Sequence, residues 1–146
     1  KRQGQHLAFS NESLAFDFLR EASAGVLLAH AALDNLASEL MPADFTYQDP
    51  DGGPDRSREQ LEALGRIELR LSRVAAAATG RPNIRNAQPE LWQRLMDLKS
   101  LRDDVAHAKV DQAYGIDDDT VFGRLFKADF RGMIDDIGTV AIHYLD

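Results

Sequence analysis

Apolar residues recur every three or four positions along most of the chain, which is the period of an amphipathic α-helix. Proline and glycine interrupt this pattern over residues 41–56, and no segment shows the alternation of a convincing strand. The pattern therefore predicts an all-α fold, an antiparallel bundle of four helices, or of five if the last helix breaks near Asp129. The predicted helices span residues 11–41, 57–79, 89–109 and 120–145.

Local signals support the second helix and the loop before it. Ser57 followed by Gln60 has the pattern of a capping box, which marks a helix N-terminus. Residues 41–56 form a long polar loop to which the sequence assigns no role. Its aromatic pair, Phe45 and Tyr47, is placed to attach the loop to the bundle.

At 146 residues the chain suits a single domain with a sizeable core. It has no cysteine, which excludes disulfides and thiolate chemistry. No apolar run approaches the roughly 18 residues of a membrane span, so we expect a cytoplasmic protein without membrane contact. The net charge of −7 argues against broad electrostatic capture of nucleic acid. Residues 81–110 differ from the rest, since they carry six basic and four acidic side chains.

The third helix carries polar residues where packing alone would not select them. Its apolar stripe comprises Leu91, Leu95, Leu98, Leu101 and Val105. Arg102 falls inside that stripe, although arginine is almost never fully buried unless it is paired. Asp103 and His107 lie four residues apart on the flank of the same helix, so their side chains are neighbours.

Arg102 is followed directly by a polar residue, and four residues separate it from His107. This stretch resembles the signature of HEPN domains. These are small helical bundles, many of them metal-independent ribonucleases in toxin–antitoxin and phage-defence systems. The resemblance implies a HEPN-like bundle that acts as an endoribonuclease on RNA without a metal or other cofactor. It also implies a homodimer and an antitoxin or other regulatory protein as partner.

These residue types suit RNA cleavage, because RNA carries its own nucleophile in the 2′-OH beside each phosphate. His107 is suited to act as base or acid, and Arg102 to fork onto the phosphate oxygens. Asp103 is expected to support His107 by orienting its imidazole. Lys99 and Lys109 flank the motif and are placed to touch the RNA backbone.

One copy of the motif makes an incomplete site. Arg102 and His107 are separated by roughly 140° on an ideal helix, and a two-fold axis beside this helix would bring two pairs together. The apolar flank row of Trp92 and Met96 suits such a contact. In the toxins regulated by nucleotidylation a tyrosine stands two residues after the motif histidine. Here that position is Lys109, which puts this form of control in doubt.

Structural alternatives remain open for the motif. Arg102 would then pair with a buried acid such as Glu21 or Asp34, and His107 would be a helix-end cation. The protein would in that case be a non-catalytic HEPN-like dimerisation or partner-binding module. A helical nucleotide-binding protein is a third hypothesis.

Two further polar sets are open to more than one interpretation. His30 lies beside the apolar stripe of the first helix, four residues before Asp34. It is either a histidine that a neighbouring helix partly covers or a functional residue. Arg66, Arg70 and Arg73 form a basic ridge that is either solvated and paired with glutamates or able to follow phosphates. The four histidines are scattered without metal-ligand spacing, so no metal site is predicted.

Overall fold

The computed structural model describes residues 12–107 and 120–146. In chain order their elements are α1 (Glu12–Glu39), β1 (Thr46–Tyr47), β2 (Arg56–Ser57), α2 (Arg58–Ala63), α3 (Ile67–Leu69), a π-helical turn (Arg70–Val74), α4 (Ala75–Thr79), α5 (Ile84–Ala87), α6 (Pro89–Ala106), α7 (Val121–Lys127) and α8 (Phe130–Leu145). The predicted all-α class is confirmed. None of the helices in these two ranges combines the length and apolarity needed to cross a membrane.

Helix α6 packs against α1, α5, α7 and α8. It runs antiparallel to α8, because Gln88 before its first turn contacts His143 and Arg94 two turns later contacts Asp136. The Arg94 guanidinium donates to both carboxylate oxygens of Asp136 at 2.8 Å. The antiparallel packing that the sequence predicts therefore holds for this pair.

The main core lies where α1, α6 and α8 meet, and it includes Val26, Leu33, Leu95 and Val140. Tyr144 of α8 is buried among these elements. Its hydroxyl donates to the Leu71 carbonyl at 2.6 Å and accepts from the Ile84 N–H at 3.2 Å. A buried phenol needs such partners, and here they tie α8 to the π-helical turn and to α5.

The loop over residues 41–56 attaches to the bundle through a second apolar cluster. Tyr47 is buried against Met41, Leu61 and Val74, and Phe45 packs at the edge of this cluster, so the predicted attachment is confirmed. The sequence predicted no strand, but β1 and β2 form a short antiparallel ribbon. Two residues per strand are too few to show a hydrophobic period, which explains the difference.

The second predicted helix is broken in the structure. Its capping box is confirmed: Ser57 Oγ accepts from the Gln60 N–H at 3.3 Å, and Gln60 Oε1 accepts from the Ser57 N–H at 2.9 Å. The helix that begins there ends at Ala63, and Gly65 adopts a φ of +61°, a left-handed conformation that glycine tolerates. Helical structure resumes only at Ile67.

The other helix boundaries lie close to the predicted ones. Helix α1 ends at Glu39 instead of residue 41, and the described part of α6 ends at Ala106 with His107 as its C-cap. The break predicted near Asp129 is confirmed. The Asp129 carboxylate accepts from the Gly132 N–H at 2.9 Å and so begins α8.

Candidate functional site

Arg102 lies near the C-terminal end of α6, where two side chains hold its guanidinium. Nη2 lies 3.2 Å from His30 Nε2, across the contact between α6 and α1. Nη1 lies 2.8 Å from Asp103 Oδ1, and the Arg102 side chain remains 31% exposed. Because arginine has five N–H donors, these two contacts leave three that have no partner among the described residues. The cation is thus fixed in position and still reachable.

His30 anchors Arg102 as a neutral imidazole. The ring is buried, with 7% of the residue exposed. Guanidinium only donates, so Nε2 accepts and the ring proton sits on Nδ1. Burial lowers the pKa of His30, and the positive charge of Arg102 lowers it further, against a smaller opposing effect of Asp34. His30 therefore positions the arginine, and its ring is neutral near neutral pH.

Asp103 is engaged by two cations. Lys99 Nζ donates to Asp103 Oδ2 at 3.2 Å, while Oδ1 pairs with Arg102. Burial works to raise the pKa of Asp103, but the Lys99 hydrogen bond and the Arg102 charge outweigh it, and the net shift is downward. The structure therefore places Asp103 with Arg102 and Lys99, and not with His107 as expected.

His107 caps the C-terminus of α6 with an exposed side chain. Its backbone N–H donates to the Asp103 carbonyl at 3.0 Å. Within the two described ranges its ring forms no hydrogen bond, with Arg102 or with any other residue. Lys109 lies outside the described residues.

The acids proposed as alternative partners of Arg102 are bound elsewhere. Glu21 is exposed and pairs with Arg20 at 3.1 Å. Asp34 pairs with Arg70, which also donates to Ser38 Oγ at 3.0 Å. Arg102 is therefore held by an imidazole, a contact that the sequence missed. The only sequence signal for it was the position of His30 beside the apolar stripe.

The basic ridge predicted on the second helix does not exist as such. Arg70 is 2% exposed and turned towards α1. Arg66 precedes α3, and the π-helical turn that begins at Arg70 changes the helical phase after it. Arg73 is held by Asp51 of the loop.

Trp92 and Met96 pack against the main core of their own chain and are partly buried. They supply less free apolar surface for a dimer contact than the sequence predicted. The exposed large apolar side chains lie instead on other helices, including Phe16, Leu27 and Leu28 of α1 and Ile134, Ile142 and Leu145 of α8.

A groove of about 490 Å³ lies between α6, α7 and the start of α8. Arg94 and Arg124 line it, but they are bound by Asp136 and Asp104 respectively. Leu98, Leu101 and Met133 are its apolar lining residues. This groove contains neither Arg102 nor His107, so it is separate from the motif.

Comparison with protein-family models, with curated proteins and with solved structures finds no match to this chain. The resemblance to HEPN domains therefore rests on the motif and the helical architecture. Among the described residues, no group of three His, Asp or Glu side chains is arranged to hold a metal ion.

Proposed function

We propose that the protein is a HEPN-like, metal-independent endoribonuclease that acts in the cytoplasm as a toxin or phage-defence effector. The observation that supports this most is the state of Arg102. Its guanidinium is fixed by His30 and Asp103 and lies near the helix end that carries the exposed His107. Three of its N–H donors have no partner in the part of the chain that the structure describes. An arginine that served packing alone would be expected to use its donors on a buried carboxylate.

In this mechanism His107 removes the proton of a 2′-OH while the 2′-oxygen attacks the adjacent phosphorus. The bond from phosphorus to the 5′-oxygen breaks, and that oxygen takes a proton as it leaves. The products are a 2′,3′-cyclic phosphate and a 5′-OH, and no oxidant or further reactant is consumed. Arg102 stabilises the extra negative charge on the phosphate oxygens. Lys99, Asp103 and His30 keep the guanidinium in place.

A homodimer completes this site. His107 is displaced around α6 from Arg102 by roughly 140°, and a second copy would supply the histidine that gives a proton to the leaving oxygen. Leu27 is 42% exposed and lies three residues before His30, so on α1 it neighbours the histidine that holds Arg102. We therefore place the dimer contact at the end of α6 together with this flank of α1.

The proposal is tested by incubating the purified protein with mixed RNA in EDTA. Wild type should cleave RNA, and His107→Ala should lower the rate by about 10²-fold or more, as expected for loss of an acid or base. Arg102→Lys keeps the charge but removes the fork, so we expect a loss of about 10²-fold.

His143→Ala is the matched control, because His143 lies on α8 beside Gln88 and Pro82 and has no role in the mechanism. It should cleave like wild type. Activity that survives His107→Ala in a folded protein would contradict the proposal.

A second candidate is a non-catalytic HEPN-like module that binds a partner protein, for example an antitoxin. The exposed apolar side chains of α1 and α8 favour it, since patches of this kind often mark interaction surfaces. The two candidates differ in one result. The module would remain inert towards RNA while folded, whereas the ribonuclease would not.

A further inference from the structure

A second pocket, of about 250 Å³, lies between the π-helical turn, α5 and α6 on the Trp92 side of α6. Its lining combines three arginines with an aromatic ring and a carboxylate: Arg66, Arg73, Arg85, Trp92 and Glu68. The chain as a whole has a net charge of −7, so a cluster of three guanidinium groups stands apart from the rest of the surface.

Two of these arginines are available to a ligand. Arg73 is held by Asp51, whereas the exposed Arg66 and Arg85 form no side-chain hydrogen bond or ion pair within the described ranges. Arg66 immediately precedes α3, and Arg85 lies in the first turn of α5. Guanidinium groups that converge without carboxylate partners suit a phosphate, onto which each can fork.

Glu68 adds a buried acceptor to the same pocket. Its Oε2 is inaccessible to water and has no hydrogen-bond partner in the part of the chain that the structure describes. A buried carboxylate oxygen without a donor is costly, and native structures usually satisfy such atoms. Glu68 thus contributes a negative charge beneath the arginines of the pocket, and its buried oxygen is closed off from a ligand.

Trp92 is the third component, and it is the only tryptophan in the chain. It is partly buried against the core and is one of the residues that line the pocket. Indole is a good stacking surface for a nucleobase, and such stacking tolerates any base. Typical small-molecule sites measure roughly 300–1,000 Å³, so a pocket of about 250 Å³ suits one half-exposed nucleotide.

We infer that this pocket binds a nucleotide unit. The phosphate lies between Arg66 and Arg85, and the base lies against Trp92. The unit is either a free mononucleotide or part of a single-stranded RNA. Trp92 and Asp103 lie on one face of α6, eleven residues or roughly 16 Å apart, so the pocket and the residue that pairs with Arg102 share this face.

The test uses Trp92 fluorescence as a direct probe of the pocket. The intact protein is titrated with 5′-AMP, with inorganic phosphate and with a short oligouridylate, the last in a His107→Ala background so that no cleavage occurs. We expect saturable quenching by 5′-AMP and weaker binding of phosphate alone. Arg66→Gln and Arg85→Gln should each weaken 5′-AMP about tenfold, as for loss of a charge-assisted hydrogen bond.

Arg131→Gln is the matched control, because it removes the same charge from an exposed site on α8 outside the pocket. It should bind like wild type. Tighter binding of the oligonucleotide than of 5′-AMP would support the inference and identify RNA as the source, and the reverse order would identify a free nucleotide.

Three results would overturn the inference: no saturable quenching with a folded wild-type protein, equal weakening in Arg131→Gln, or phosphate binding as tightly as 5′-AMP. None of these measurements requires cleavage, so this binding and the proposed ribonuclease activity fail or succeed separately.

Discussion

At the scale of single residues, one flank of α1 holds two arginines of other elements. His30 accepts from Arg102 of α6, and Asp34, one turn later, pairs with Arg70 of the π-helical turn. The two partners differ in kind. A neutral imidazole leaves Arg102 its full charge and part of its exposure, whereas the carboxylate neutralises an Arg70 that is almost entirely buried.

Asp34→Asn should therefore be strongly destabilising, because it removes the carboxylate that pairs directly with the buried Arg70 guanidinium. We expect a loss of about 3 kcal/mol in the free energy of unfolding, measured by urea denaturation. The double variant Asp34→Asn/Arg70→Met should regain most of it, since both charges are then absent. Asp17→Asn, which breaks an exposed pair with Arg20, is the control. An equal effect of both single Asn variants would contradict this role of Asp34.

The His30 contact predicts a dependence of stability on pH. The pKa of His30 is lowered in the folded protein from its usual value near 6.5, so the unfolded chain binds the proton more readily. Stability from this group is complete above about pH 6.5 and is lost as the pH falls towards the lowered pKa. His30→Gln keeps an acceptor for Arg102 but does not titrate.

Melting temperatures of wild type and His30→Gln should consequently converge as the pH falls below about 6.5, provided that wild type is the more stable at neutral pH. Parallel pH profiles for the two proteins would show that His30 does not titrate as described.

At the scale of elements, substitution of glycine by alanine should change the free energy of unfolding in opposite directions at Gly65 and Gly138. Gly65 has a φ of +61°, and a Cβ there would meet no atom within 4 Å. Gly65→Ala should lower the free energy of unfolding by about 1 kcal/mol through backbone strain alone.

Gly138 also has open space around it but lies inside α8. Gly138→Ala should raise the free energy of unfolding by about 0.5–1 kcal/mol, because alanine is the better helix former. Urea denaturation compares the two variants. Changes of the same sign in the free energy of unfolding of the two variants would contradict the assigned backbone conformations.

What the sequence could predict at this scale follows from the range of each interaction. The capping box of Ser57 and Gln60 and the break at Asp129 depend on neighbours within three residues, and both are correct. The π-helical turn at Arg70 and the break at Gly65 lie inside a continuous apolar period, because Leu61 and Leu71 are buried on either side. The apolar pattern alone therefore could not predict the π-helical turn or the break.

The candidate site was predictable only in its local part. Lys99 and Asp103 lie four residues apart on α6, and their contact follows from that spacing. Adjacent side chains of a helix do not face each other, so the contact of Arg102 with Asp103 does not follow from the helical period. His30 is 72 positions from Arg102, and no local pattern specifies such a pair. The convergence of Arg66 and Arg85 on Trp92 likewise depends on how α5 packs beside α6.

At the scale of the whole molecule, the proposed dimer predicts a link between association and activity. Leu27→Glu places a charge beside the motif without altering Arg102 or His107, so it should give a monomer and abolish cleavage. Ile142→Glu introduces the same charge at an exposed apolar position of α8 and should leave both properties unchanged. Sedimentation equilibrium measures the mass. A fully active Leu27→Glu monomer would contradict the two-chain site.

The most direct measurement is the chemistry of the cleaved ends. One RNA is compared with the same sequence carrying 2′-O-methyl groups, both incubated with wild-type protein in EDTA. Attack by the 2′-OH predicts 2′,3′-cyclic phosphate and 5′-OH ends from the RNA and an intact methylated strand. Cleavage of the methylated strand, or RNA products that carry 5′-phosphate ends, would contradict the mechanism proposed for Arg102 and His107.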